Sequence, residues 1–370
     1  MKKILILVFT CAAVFFLFGC GKGNSAEGAK IPDAATLKKL DNWTAVENPG
    51  DFAVYGAAYG EASGAGSGRF IFGGLNGKMA YSDDGGATWE SADDDPFWDH
   101  TVSTSLTTDG SSLHFPAPKA PDGSYYRKAI MHIAHDGKKR FVAGASYGSG
   151  GVIAYSDDGG ATWTAAPTGD VFRGGPRFVF IVYANDRFFA LGGSGERMGY
   201  SRDGVAWTAM EKPVELLRGI AYGNNRFIAV GDKGQMAHSN DGIYWTPVRS
   251  DAFGTAIDIT SIAYGNKRFV AGGAHGRIAY SSDGITWTVA EDSAFGANKI
   301  NAIAYALGCF VAVGEKGKMA YSIDGRVWTA VTDNTFGELR IKTIVYGNGS
   351  WIAVHTPSPG ASKIAVCAWP

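Results

Sequence analysis

Short apolar segments alternate with glycine-containing turns along most of this chain. In residues 262–273 an apolar segment that begins Ile-Ala-Tyr is followed by a Gly-Asn turn and then by a second apolar segment. Residues 276–280 and 286–289 supply two more short segments of the same kind. Segments of this length, bounded by glycine and asparagine, predict β-strands joined by tight turns. Each such unit therefore predicts one sheet of four antiparallel strands.

One motif links the third and fourth strands of these units. The segment Tyr-Ser-Asp-Asp-Gly-Gly-Ala-Thr-Trp occupies residues 81–89 and recurs unchanged at 155–163. Four copies that are one residue shorter keep Ser, Asp, Gly and Trp, and they occupy residues 200–207, 238–245, 280–287 and 321–328. A four-stranded unit repeated at a period of about 40 residues is typical of a β-propeller.

The two ends of the chain together supply one further unit. Residues 342–367 predict three strands after the sixth motif, and residues 42–46, Asn-Trp-Thr-Ala-Val, match Val-Trp-Thr-Ala-Val at 327–331. We therefore predict an all-β fold, a single seven-bladed β-propeller of four-stranded antiparallel blades, whose ring is closed by the N-terminal strand. Closure removes the exposed sheet edge of an open array.

The first repeat spacing is longer than the others. Ser82 and Ser156 are 74 residues apart, and the excess, about residues 99–126, contains no copy of the motif. We interpret this stretch as an insertion, and a degenerate extra blade is the alternative.

The N-terminus has the features of an export signal. Lys2 and Lys3 precede an apolar stretch, residues 4–18, which ends at Leu-Phe-Gly before Cys20. This junction resembles the lipobox of bacterial lipoproteins, which implies cleavage before Cys20 and a lipid on its thiol. We predict a signal peptide at 1–19, a flexible tether at 20–38 and the propeller at 39–370. The protein would then be a monomer in the bacterial envelope, anchored to a membrane and facing the periplasm or the exterior; an ordinary secretory signal is the alternative.

Composition excludes several function classes. The formal net charge of −1 gives no basis for binding nucleic acid. The sequence contains no phosphate-binding loop or Ser-His-Asp signature, and we expect no cofactor and no metal. His132 and His135 resemble a metal-ligand pair, but His135 occupies the repeat position of Tyr264. Cys309 and Cys367 could form a disulfide, although we expect two buried thiols.

The repeated motif resembles the Asp-box, or BNR repeat, of sialidases and related propellers. Its serine and aspartate side chains can bond to the backbone of a tight turn, so we expect a structural role for them rather than a catalytic one. The aspartates concerned are Asp84, Asp158, Asp203, Asp241, Asp283 and Asp324. The Gly-Asn-x-x-Phe-x-Ala-Val-Gly strands also resemble assembly-factor propellers related to photosystem II stability proteins, and this resemblance implies a partner-binding role.

In propellers with Asp-boxes the ligand site lies on the opposite face, which the starts of the first strands help to form. Alignment of the first strands places five cations near the mouth of the central channel, with Asp258 as a lone acid. They are Arg177, Arg218, Lys299, Arg340 and Lys342. A cationic mouth favours an anionic group. Trp98, next to the insertion, adds a possible aromatic contact.

Two functions of different classes follow from this mouth. The first is a binding or scaffold propeller for an anionic glycan or a protein partner. The second, implied by the sialidase resemblance, is an exo-acting glycoside hydrolase that uses three arginines, an acid and a tyrosine nucleophile. The candidates are Arg177, Arg218 and Arg340 as the clamp, Asp258 as the acid, and Tyr55, Tyr125 or Tyr126 as the nucleophile. Because the Phe-Arg-Ile-Pro motif of sialidases is missing, we expect the binder. A structural envelope protein without a ligand site is a third possibility.

Overall fold

A computed structural model describes most of the predicted propeller. It describes residues 4–8, 15–18, 32–48, 52–61, 68–91, 128–147, 150–168, 171–172, 180–192, 197–357 and 362–368. Cys20, Trp98, Tyr125, Tyr126 and Arg177, together with the predicted insertion at 99–126, lie outside these residues. Within them, no helix has the length and apolar character needed to cross a bilayer.

Seven antiparallel sheets form the fold, and each contains one blade of four neighbouring strands. The first strands of successive blades contact one another, and the first strand of blade 7 contacts that of blade 1. The first strands therefore surround the centre of a closed ring. The predicted seven-bladed propeller is confirmed.

Each blade runs from its first strand at the centre of the ring to its fourth strand at the rim. Blade 1 contains Val54–Glu61, Gly68–Gly74, Met79–Ser82 and Glu90–Ser91. Blade 2 contains Lys128–His135, Phe141–Tyr147, Gly150–Ser156 and Thr164–Ala165. Blade 3 contains Phe180–Ala184, Arg187–Gly192, Arg197–Ser201 and Thr208–Met210. Blade 4 contains Leu217–Gly223, Arg226–Gly231, Met236–Ser239 and Thr246–Val248. Blade 5 contains Ile259–Gly265, Arg268–Gly273, Ile278–Ser281 and Thr288–Val289. Blade 6 contains Ile300–Ala306, Cys309–Gly314, Met319–Ser322 and Thr329–Ala330. Blade 7 contains Ile341–Gly347, Ser350–His355, Lys363–Ala368 and the N-terminal strand Thr44–Val46.

A few elements lie outside this four-strand pattern. Helix Ala34–Lys38 and the 3-10 turn Lys39–Asp41 precede the N-terminal strand, so the end of the predicted tether is helical. Two more 3-10 turns, Asp232–Gly234 and Ala274–Gly276, join second to third strands in blades 4 and 5. Strands Ile4–Val8 and Phe15–Phe18, inside the predicted signal peptide, form a hairpin that pairs with the first strand of blade 1.

The ring has two faces, which we name by their loops. The turn face carries the turns between first and second strands and the serine–aspartate turns between third and fourth strands, for example Ser322 to Trp328. The connection face carries the turns between second and third strands and the connections from one blade to the next.

An aromatic side chain ends the first strand of every blade at the turn face. Each one packs on the ring that begins the second strand of its own blade, as in Tyr264 and Phe269, whose centroids are 4.7 Å apart. The seven aromatics are Tyr59, His135, Tyr183, Tyr222, Tyr264, Tyr305 and Tyr346. A Cβ at Gly265 would lie 2.1 Å from the Tyr305 ring. Glycine there lets the aromatic of the next blade cover the backbone.

The serine–aspartate turns are held together by their own side chains. In blade 6, Ser322 Oγ accepts the Gly325 N–H at 2.8 Å, Asp324 accepts the Arg326 N–H at 2.8 Å, and Trp328 Nε1 donates to the Gly325 carbonyl at 3.3 Å. The N–H groups of Tyr244 and Ile243 likewise lower the pKa of Asp241 in blade 4. These carboxylates therefore serve as acceptors for backbone groups.

Neighbouring blades are linked through these turns. Arg226, at the start of a second strand, donates to the Asp283 carbonyl in the serine–aspartate turn of the next blade at 2.5 Å. Arg140, Arg187 and Arg268 make the same bond to the carbonyls of Asp203, Asp241 and Asp324. The equivalent residue in blade 6 is Cys309. The next blade, blade 7, has no continuous serine–aspartate turn.

Blade 7 contains a split version of that turn, built from both ends of the chain. Trp43 Nε1 donates to the Leu40 carbonyl at 2.6 Å, so Leu40 occupies the place of the motif glycine. Cys367 occupies the place of the motif serine, and its thiol lies 3.0 Å from the Lys39 carbonyl oxygen. Leu40 is fully buried.

Candidate functional site

Every fully described first strand has an irregularity near the connection face. In blades 1, 2, 4, 5, 6 and 7 the pairing register with the second strand shifts by one residue at the same repeat position. The residues at the shift are Tyr55, Met131, Arg218, Thr260, Asn301 and Lys342. A β-bulge changes the direction of one side chain without ending the strand. These residues form a ring at the centre of the propeller, which we call the bulge ring.

Two members of the bulge ring hold adjacent blades together. Thr260 Oγ1 donates to the Ile300 carbonyl of blade 6 at 2.5 Å. Asn301 Nδ2 donates to the Ile341 carbonyl of blade 7 at 2.8 Å. Each acceptor lies just before the bulge of the next blade, so these polar side chains satisfy backbone groups that the bulges leave unpaired.

Arg218 is engaged by an acid of its own blade. Its Nε and Nη2 atoms donate to the two carboxylate oxygens of Asp232 at 2.6 and 2.8 Å. This is the two-bond geometry in which a guanidinium holds a carboxylate. The sequence predicts Arg218 in the ligand clamp, but its Nε and Nη2 donors are already used by Asp232.

Asp258 also accepts hydrogen bonds within the scaffold. One carboxylate oxygen accepts the N–H of Lys233 at 3.0 Å, across the boundary between blades 5 and 4. Lys233 has a φ of 54° at the tip of the Asp232–Gly234 turn. Asp258 therefore stabilises a left-handed turn, and its carbonyl accepts the Ala274 N–H at 2.9 Å.

Lys299 and Arg340 lie near Lys316, which was not among the predicted site residues. The N–H of Glu315 donates to the Lys299 carbonyl at 2.9 Å, and the N–H of Gly317 donates to the Leu339 carbonyl at 2.8 Å. Lys316, with a φ of 50°, lies between these two bonds and is exposed. We call Lys299, Lys316 and Arg340 the cationic patch.

The cationic patch keeps its charge available. Arg340 and Lys316 are exposed and Lys299 is half-buried. None of the ion pairs formed within the described part of the chain uses any of the three. Glu315 and Glu338 are the nearest acids along the chain, so the segment keeps a positive excess.

Lys342 belongs to the bulge ring and follows Arg340 of the cationic patch by two residues. Its charge acts on His132 of blade 2, a side chain that is 4% exposed. Burial, reinforced by the Lys342 charge, lowers the pKa of His132 to about 3. The imidazole is therefore neutral at physiological pH, and the positive charge at this depth belongs to Lys342.

The described candidates for glycosidase chemistry come from different blades. Tyr55 lies in the first strand of blade 1, and Asp258 directly precedes the first strand of blade 5. A glycosidase needs its two catalytic groups on the two sides of one bond, several ångströms apart. Tyr125, Tyr126 and Arg177 lie outside the described residues, so their predicted roles stay predictions.

Among residues covered by the structure, no three His, Cys, Asp or Glu side chains are grouped to hold a metal ion. Cys309 and Cys367 are free and buried, and burial raises the pKa of each thiol to about 12. Neither is a reactive thiolate at neutral pH.

Comparison with known proteins identifies the fold. Residues 120–253 match a family model described as the DUF6242 beta propeller domain. No curated protein matches the sequence.

Solved structures give the same fold over most of the chain. YCF48 bound to a D1 peptide has a TM-score of 0.58 and 16% identity, and the match covers 89% of this chain and 97% of that one. YCF48 from Cyanidioschyzon merolae has a TM-score of 0.59 and 16% identity, over 88% and 98% of the two chains. Virginiamycin B lyase from Staphylococcus aureus has a TM-score of 0.55 and 12% identity, over 87% and 98%. At these identities the similarity concerns the fold alone.

Proposed function

We propose that this protein is a binding propeller of the bacterial envelope, held to a membrane by a lipid on Cys20, which captures an acidic partner on its connection face. The observation that carries this proposal is the cationic patch. Backbone bonds from Glu315 to Lys299 and from Gly317 to Leu339 hold together the segments that carry the patch. No ion pair of the described residues uses Lys299, Lys316 or Arg340.

The contrast with blade 4 supports placing the site at blades 6 and 7. Lys233 has the same left-handed tip position as Lys316, but its turn contains Asp232, which binds Arg218, and its N–H is bonded to Asp258. The charges of blade 4 therefore compensate one another. Charges without internal partners can meet an oppositely charged surface without first breaking an existing pair.

An acidic protein segment is the first candidate for the partner, and an acidic glycan is the second. Both offer carboxylates, and arginine can hold a carboxylate with two hydrogen bonds. The YCF48 structure that contains a bound peptide supports testing a protein segment first. The depth of Lys342 beyond the patch would suit an acidic side chain or chain end that enters the bulge ring.

We expect the double variant Lys316→Glu with Arg340→Glu to weaken binding of an acidic peptide by at least about tenfold, because each reversal replaces an attraction by a repulsion. The measurement is titration of the lipid-anchored protein with a fluorescent glutamate-rich peptide, repeated with a sialylated oligosaccharide. The wild-type affinity should also fall as salt is raised.

Lys233→Glu is the matched control, since it reverses one charge at the same tip position in blade 4. It should leave binding within about twofold of the wild type, because Lys233 is outside the patch. Equal losses in both variants would contradict a localised site. Hydrolysis of a fluorogenic sialoside that disappears in Arg218→Ala would instead establish the glycosidase.

A further inference from the structure

Downstream of the predicted signal peptide, the chain joins the propeller at the turn face. Leu40 replaces the motif glycine and Trp43 the motif tryptophan in blade 7, so residues 39–42 lie where the other blades have their serine–aspartate turns. Helix Ala34–Lys38 immediately precedes them. Any anchor before residue 32 is therefore tied to this face, between blades 6 and 7.

The reach of the tether favours the same face. Eleven residues, 21–31, separate Cys20 from the first described residue of this segment, Pro32. A flexible chain of that length spans about 18 Å on average. A first strand such as Ile259–Gly265, with seven residues, is about 23 Å long. The predicted tether would therefore be shorter, on average, than the distance between the two faces.

The turn face presents apolar side chains on three successive blades close to this point. Tyr244, Ile285 and Val327 follow the motif glycines of blades 4, 5 and 6 by one or two residues, and they are 81%, 41% and 73% exposed. The remaining exposed large apolar side chains of the described residues are Leu216 and Leu339, on the connection face. Exposed side chains at turn tips are free to enter an interface without disturbing the sheet behind them.

Exposed cations accompany these apolar tips. Arg326 lies beside Val327, Lys267 is at the tip of the adjacent first turn of blade 5, and Lys38 and Lys39 lie at the point where the chain enters. The aspartates of the same turns accept backbone N–H groups. Lysine and arginine near a bilayer surface are attracted by anionic lipids, and tyrosine and aliphatic side chains prefer the interfacial layer.

We propose that the turn face of blades 4 to 6 rests on the lipid bilayer, with Tyr244, Ile285 and Val327 in the interfacial layer, so that the connection face points away from the membrane. This inference rests on the lipid anchor that the proposed function assigns to Cys20. It makes the bilayer the ligand of the turn face and leaves the cationic patch open to partners in the surrounding compartment.

Single-cysteine labels in blades 4 and 6 test this orientation. Tyr244→Cys and Val327→Cys report on the turn face, and Lys233→Cys and Lys316→Cys report on the connection face of the same two blades. Cys309 and Cys367 are buried, Cys11 would leave with the signal peptide, and the thiol of Cys20 would carry the lipid, so an environment-sensitive maleimide should react with the introduced thiol alone. The full lipidated protein is reconstituted in vesicles of phosphatidylethanolamine and phosphatidylglycerol that contain a nitroxide-labelled lipid.

We expect several-fold stronger quenching by the nitroxide lipid at positions 244 and 327 than at positions 233 and 316. Equal quenching at the two faces, stronger quenching at the connection face, or no quenching in protein that co-sediments with the vesicles would overturn the proposal. Failure to co-sediment would overturn the anchor and with it this inference, but it would leave the cationic patch to its own binding test.

A second comparison separates lipid contact from orientation alone. Tyr244→Ser with Val327→Ser should reduce the quenching of a label at Ile285→Cys, whereas Leu216→Ser with Leu339→Ser, on the connection face, should not change it. An unchanged signal in the first pair would contradict insertion of the tips.

Discussion

Replacing Trp43 by alanine should open the ring at blade 7. Trp43 is 6% exposed and donates to the Leu40 carbonyl at 2.6 Å. Loss of a buried tryptophan costs about 3–5 kcal/mol, as the transfer free energy plus the cavity that remains. The fourth strand, Thr44–Val46, pairs with Lys363–Ala368 through three residues, and no covalent turn joins the two strands. It therefore depends on this packing more than the fourth strand of a blade whose turn is continuous.

Trp328→Ala is the matched control. Trp328 has the same 6% exposure and the same type of bond, but its turn is covalently continuous with the third strand of blade 6. Both variants should lose a similar free energy of unfolding in urea titrations. Hydrogen–deuterium exchange should separate them, because only Trp43→Ala should expose residues 32–48 and the edge strand Lys363–Ala368 under native conditions. If exchange in 32–48 is equally fast in both variants, the split turn does not hold the ring closed.

Sequence patterns predicted those parts of the fold that depend on short stretches of chain. The repeated turns, the strand order within a blade and the N-terminal strand follow from local signals, because each motif contains its own hydrogen-bond donors and acceptors. Residues 42–46 carried the closure signal in the Trp-Thr-Ala-Val match. The structure adds that Leu40 and Cys367 complete the turn, although neither residue belongs to the motif.

The mouth of the ring was less predictable because its chemistry depends on contacts between blades. Alignment of the first strands placed Arg218 and Lys342 near the mouth, but a bulge has no composition signal when a different residue occupies it in each blade. Charge alone could not reveal that Arg218 is held by Asp232 or that Asp258 caps Lys233. Lys316 was missed because it lies in the turn between second and third strands; its position before a repeated glycine was the available signal.

Cys309 illustrates how a departure from the repeat gains meaning only in three dimensions. The alignment alone identifies it as the residue that replaces the arginine of Arg226 and Arg268. In the structure, that arginine would reach toward a blade whose turn is split between the two chain ends.

The stability of the protein should fall as the pH is lowered from 6.5 to 4.5, and His132 should account for most of the fall. Burial, followed by the charge of Lys342, lowers the pKa of His132 to about 3 in the folded state, against 6.5 for an ordinary histidine. Because the unfolded chain takes up the proton first, stability is retained above pH 6.5 and is lost progressively as the pH falls toward 3. Between pH 7 and pH 4.5 the loss from this one group is about 2–3 kcal/mol. His132→Gln should flatten the pH dependence of the urea midpoint over this range, since glutamine carries no charge at either pH.

His238→Gln is the control, because His238 is only half-buried, although burial lowers its pKa as well. An undiminished slope in His132→Gln would show that His132 is not the group that destabilises the fold in acid.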